Sequence, residues 1–105
     1  MNSKETRKYA EKIFKALAST HRLRILRILL NEEGICAKDI ADKLELSQPD
    51  VSYHLSKLDQ AGILGKDKRG TRNCYHLNKR TLRNVGIIPK ELLNNNGGGE
   101  LNERT

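Results

Sequence analysis

The chain has 105 residues with 20 Lys and Arg against 13 Asp and Glu, a formal net charge of +7 and a pI near 9.7. That length supports one domain around one hydrophobic core and favours added burial in a dimer, and the basic balance points to a polyanionic partner. The apolar run 25–30 is short and broken by Arg27, and the start lacks a secretory h-region, so no membrane span and a cytoplasmic location are expected. Two Cys make no disulfide framework and should be reduced there.

The first helix is expected over about residues 3–18. Tyr9, Ile13 and Leu17 lie four apart on one stripe with Phe14 beside it, more apolar surface than a peripheral helix needs. Part of this stripe reads as dimer surface; the alternative, that it faces only its own core, is equally open. A second helix over about 21–30 carries Leu23, Ile25, Leu26, Ile28, Leu29 and Leu30, with Ser19 or Thr20 as its cap, and should be the central core helix. His21, in its first turn, reads as structural or phosphate-facing.

A third, short helix over 37–44 turns Ile40, Ala41 and Leu44 inward. Three residues, 45–47, then separate it from a fourth helix, the spacing of a helix-turn-helix. Ser47 can accept from the Asp50 N–H, Pro49 fits the first turn, and Asp50 sets negative charge at the positive helix end. Val51, Leu55 and Leu58 form an apolar stripe, while Pro49, Tyr53, Ser56 and Gln60 project roughly opposite, flanked by Ser52 and Lys57. His54 falls at the edge of the stripe, where a phosphate contact or an interhelix hydrogen bond suits it. Short polar groups and a Tyr suit close approach to base edges and phosphates.

Gly62 can close the fourth helix in the left-handed conformation. Ile63 and Leu64 then begin one strand, Tyr75 and Leu77 alternate in another, and residues 66–72 are the connection, with Lys66, Lys68, Arg69 and Arg72 at a basic tip. The period of two sends Tyr75 and Leu77 toward the helices and Cys74 and His76 to the outer face. The expected fold is therefore mostly α with a small β-hairpin, a winged helix-turn-helix in the order α-α-α-α-β-β-α.

The segments ALASTHRLRILRILL, DIADKLELSQPDVSYHLSKLDQAGIL and KRGTRNCYHLN, within residues 16–78, together resemble the ArsR/SmtB family of winged-helix repressors. Most specific is the S-Q-P-x-V-S-x-H-L-x-x-L-x-x-A-G pattern of 47–62. The resemblance implies a homodimer that binds an inverted-repeat operator and releases it when an effector binds. Family members commonly close with a longer helix that pairs with the first across the dimer. Here 79–85 offers only a short helix carrying Leu82 and Val85, read as dimer surface, before Gly86 and Pro89, with Leu92 and Leu93 adding one further turn. The domain is expected to span 1–93. Residues 94–105, with three consecutive Gly and almost no apolar content, should be a disordered tail.

The metal-sensing branch of that family carries a Cys pair two apart at the start of the helix before the turn. Cys36 matches the first thiol, but Lys38 stands in place of the second, and an ammonium offers no lone pair. Cys36 then reads as a small buried hydrophobe. Cys74 and His76, two apart on a strand, are too few for a zinc site without donors from elsewhere, and an exposed wing strand is the plainer reading. Residues 79–85 contain no Asp, Glu or His for the carboxylate–imidazole sites of other members. No metal is assigned to Cys36, Cys74 or His76, and their expected separation makes a Cys36–Cys74 disulfide improbable.

No nucleophile with a base, carboxylate pair or phosphate-binding loop is visible, so neither an enzyme nor a cofactor is expected. A winged helix can also serve as a protein-interaction or RNA-binding module. The outer face of Gln48, Ser52, Tyr53, Ser56 and Lys57 beside a basic wing argues instead for duplex DNA. Gln48, Ser52, Tyr53 and Ser56 are expected to face bases and Lys57, Lys68, Arg69 and Arg72 phosphates, with His54 beside them at a phosphate or in an interhelix hydrogen bond.

Overall fold

The computed structural model describes residues 3–84, in which five helices and three strands follow the order α1 (Ser3–Leu17), α2 (Thr20–Asn31), β1 (Ile35–Cys36), α3 (Ala37–Leu44), α4 (Gln48–Gln60), β2 (Leu64–Arg69), β3 (Arg72–Leu77) and α5 (Lys79–Asn84). This is the winged helix-turn-helix expected, with one strand more. Val85, Leu92, Leu93 and the 94–105 tail lie outside the described residues.

Local chemistry sets the helix boundaries. Ser19 caps α2 by accepting from the Arg22 N–H, and Ser47 caps α4 by accepting from the Asp50 N–H at 3.1 Å. Asn78 does the same for α5, taking the Thr81 N–H at 3.2 Å. Glu45 closes α3 at φ 57°, the left-handed region, and its N–H returns to Ala41 and Asp42 carbonyls. That one residue reverses the chain between α3 and α4. Gly62, at φ 76°, closes α4 as expected.

The core is one cluster fed by every helix. Ile13 of α1, Ile25 and Leu29 of α2, Ile40 of α3, and Val51, Leu55 and Leu58 of α4 are each no more than 2% exposed. Burying side chains of this size contributes about 1.5–3 kcal/mol each. Ile63, Leu64 and Leu77 plug the base of the hairpin into that cluster, and Leu82 of α5 closes its lower side.

Two of the residues read as dimer surface are corrected by this packing. Ile13 and Leu82 are both 0% exposed within the single chain, Ile13 because α1 packs on α2 and α4, and Leu82 because α5 contributes it to the same buried cluster. Tyr9 and Leu17 are partly buried against the same cluster, whereas Phe14 stays 51% exposed.

The sheet is antiparallel in the order β1-β3-β2, so β3 is central and β1 covers its second edge. A two-residue strand carries no readable period, which is why β1 is invisible in the sequence. The 66–72 connection is likewise shorter than expected: pairing runs from Leu64↔Leu77 to Arg69↔Arg72, leaving Gly70 and Thr71 as the turn. Gly70, at φ 66°, occupies the first central position, the geometry that suits the twist of a two-residue hairpin.

β1 also corrects two readings of the cysteines. Cys74 is buried rather than on an exposed wing face, because Cys36 stands directly opposite it in the β1–β3 pairing. The two Sγ atoms are 3.3 Å apart, so the expected separation does not exist.

Candidate nucleic-acid interface

α4 divides into two faces. Val51, Leu55 and Leu58 are buried, while Gln48, Ser52, Tyr53, Ser56 and Lys57 are exposed, Tyr53 to 57%. An aromatic left open on a well-packed helix has no role in the core. Lys57 Nζ lies 5.5 Å from the Tyr53 ring centroid, which holds the ammonium beside the phenol. Gln60 Nε2 donates to Ser56 Oγ at 3.3 Å.

His54 is half-buried and serves as an inter-helix tie. Its Nδ1 lies 3.3 Å from Arg22 Nη1 on α2. Its ring packs 5.3 Å from His21 and 5.2 Å, edge-on, from Tyr53. Burial, then the positive charge of Arg22 and the neighbouring His21, lower the His54 pKa below 6.5, against a smaller opposing pull from Asp50. Arg22 Nε in turn donates to the Ala16 carbonyl at 2.6 Å. One guanidinium thus joins the end of α1, the start of α2 and the middle of α4. Nothing in the sequence pattern marks Arg22, because its partner is 32 residues away. Its only local signal is a cation in the first turn of a helix, where the dipole disfavours one.

Two recesses flank α4. One, of about 330 Å³, collects Lys12, Lys15, Arg22 and Lys57 beside Tyr53. The other, of about 240 Å³, runs between the start of α4 and the wing, lined by Lys38, Gln48, Ser52 and Arg72, with Cys36 and Tyr75. Lys12 and Lys38 are basic groups that the sequence did not mark as facing DNA, since each is an ordinary surface Lys until the fold sets it beside α4.

On the wing, Lys66, Lys68 and Arg72 are exposed. Arg69 is exposed too, but its guanidinium rests against Gly34, where a Cβ would stand 2.8 Å from Nη2. Asp67 Oδ2 lies 3.5 Å from His76 Nδ1, and the imidazole covers Gly65, which has no Cβ to obstruct it. Cys74 and His76 are therefore engaged separately, one with Cys36 and the other with Asp67. Among the described residues, no group of three or more His, Cys, Asp and Glu is placed to hold a metal ion. None of their helices is long and apolar enough to cross a membrane.

Comparison with known proteins agrees with this architecture. Residues 19–66 match the family described as "Bacterial regulatory protein, arsR family". An uncharacterised HTH-type transcriptional regulator of Methanocaldococcus jannaschii is 40% identical over 83 residues, 79% of this chain and 93% of that protein. The arsenical resistance operon repressor of Bacillus subtilis is 37% identical over 86 residues, 82% of this chain and 79% of that protein. Among solved structures, the homodimeric winged helix-turn-helix DNA-binding domain of a possible ArsR-family regulator from Mycobacterium bovis superposes with a TM-score of 0.70 at 23% identity, covering 89% of this chain and 91% of that one. Matched by that family's model over its helix-turn-helix and by these relatives over about four-fifths of its residues, the chain belongs to the arsR family of bacterial regulatory proteins.

Proposed function

We propose that the protein is a homodimeric transcriptional repressor, not an enzyme, that binds double-stranded DNA in the cytoplasm. The observation that carries this reading is the division of α4, whose apolar stripe is fully buried while its opposite face presents Gln48, Ser52, Tyr53 and Ser56 to solvent. Such a helix is seated firmly enough to enter a major groove without rearranging. Gln48, Ser52, Tyr53 and Ser56 face bases; Lys57, Lys68, Arg69 and Arg72 meet phosphates, and His54 supports α4 from behind. The relative from Bacillus subtilis is itself named a repressor, and the Mycobacterium bovis neighbour is described as homodimeric. Phe14, with Tyr9 and Leu17 beside it, supplies apolar surface for the dimer. Two-fold symmetry would then require an inverted-repeat operator with half-sites about one helical turn apart.

Selection of bound fragments from a genomic library supplies the operator, and titration on operator and scrambled duplex tests the roles. Gln48→Ala should cost about 1–3 kcal/mol on the operator and little on scrambled DNA. Arg72→Ala should weaken both alike and lower the slope of log K against log salt by about 0.9 for each phosphate it no longer neutralises. Equal weakening on both duplexes for Gln48→Ala would remove its base-reading role.

A further inference from the structure

Cys36 and Cys74 face each other across the β1–β3 pairing with sulfurs 3.3 Å apart. Residues directly opposite in an antiparallel pair have Cα atoms about 4.5–5.5 Å apart, inside the roughly 4.4–6.8 Å that a disulfide spans. Closing the sulfurs to the about 2.04 Å of an S–S bond is a side-chain adjustment and leaves the strand register intact.

The two thiols are not equivalent. Cys74 is buried, and its hydrogen bond with Cys36, followed by burial, pushes its pKa up. Cys36 is half-buried and lines the recess between α4 and the wing, shared with Lys38, Gln48, Ser52 and Arg72. A small solute entering that recess meets Cys36 first.

We propose that Cys36 and Cys74 are a reactive thiol pair that hydroperoxides oxidise to an intrachain disulfide, with Cys36 meeting the oxidant, and that DNA bound over α4 and the wing shields it. With hydrogen peroxide, the Cys36 thiolate attacks one peroxide oxygen, the O–O bond breaks, and the other oxygen leaves as water after taking a proton. Cys36 is then a sulfenic acid. The Cys74 sulfur attacks the Cys36 sulfur, the S–O bond breaks, and the Cys74 proton departs with the hydroxyl as a second water. The two thiols together lose two electrons and become one disulfide, while one peroxide is reduced to two waters. The bond ties the start of α3 to the centre of the wing at the floor of the recess.

The test treats the full chain with stoichiometric hydrogen peroxide, alkylates what remains, and reads intact mass and a peptide map without reductant. The expected result is a mass lower by about 2 Da, a single Cys36–Cys74 linked peptide within one chain, and full reversal by dithiothreitol. In Cys74→Ser, Cys36 should stop at the sulfenic acid and be trapped by dimedone. In Cys36→Ser, Cys74 should stay reduced over the same time. Disulfides between chains, over-oxidation of both thiols in the wild type, or Cys74 reacting as fast as Cys36 would overturn the pair. The shielding rests on the DNA-binding reading, so anisotropy of a labelled operator duplex is followed in the same mixture. Oxidation should slow severalfold on the bound complex. A bound duplex with an unchanged rate overturns the shielding; a chain that binds no duplex overturns the DNA reading and the shielding with it, and leaves the disulfide result standing.

Discussion

Arg22→Met keeps the aliphatic stem of the side chain and deletes the guanidinium that joins three helices. In the wild type Nε reaches the Ala16 carbonyl at 2.6 Å and Nη1 lies 3.3 Å from His54 Nδ1. A hydrogen bond from a charged donor contributes about 1.5–3 kcal/mol, and Arg22 is only half-buried, so water partly replaces it in the variant. The expected destabilisation is about 2 kcal/mol at pH 8, read by urea unfolding at fixed protein concentration. A second readout separates this from generic damage. Because Arg22 is one of the charges that lower the His54 pKa, its removal should let that value rise toward 6.5. Between the lowered folded-state value and about 6.5 the unfolded chain holds more protons than the folded one, so wild-type stability rises with pH across that window and falls on acidification. The variant loses less on acidification, and the gap between the two proteins should narrow from about pH 8 to about pH 5.5. Ring-proton NMR titration of His54 gives its midpoint directly. A midpoint that falls in Arg22→Met, or a stability gap that widens on acidification, would refute the assigned coupling.

Three further changes probe other parts of the structure. Leu55→Ala, at a side chain 1% exposed on the inner stripe of α4, should cost about 2–5 kcal/mol in urea unfolding, and a cost under about 1 kcal/mol would mean α4 is not seated as described. Glu45→Gly relieves a left-handed conformation at φ 57° and should raise stability by about 0.5–1 kcal/mol, with helix content by circular dichroism unchanged. Phe14→Asp places charge on a ring that is 51% exposed, so the chain should keep its fold while sedimentation shows the proposed dimer dissociating at a protein concentration about tenfold higher or more. An unaltered dimer would move the interface elsewhere.

The helix-turn-helix was legible in the chain because its determinants are local. Ser47, Pro49 and Asp50 lie within four positions of one another, and Val51, Leu55 and Leu58 repeat at the helix period, so caps and buried stripe could be read without knowing the rest of the molecule. The exposure of Gln48, Tyr53 and Ser56 follows from the same geometry. Tertiary structure alone decided which apolar stripes were spent inside. Ile13 and Leu82 look like interface residues by pattern, and only the packing of α1 and α5 showed them enclosed. It alone brought Arg22 to His54 and Cys36 to Cys74, pairs 32 and 38 residues apart. Periodicity reports which way a side chain leans on its own helix or strand. What it meets there depends on how those elements dock, and a two-residue strand such as β1 exists only because β3 is there to pair with it.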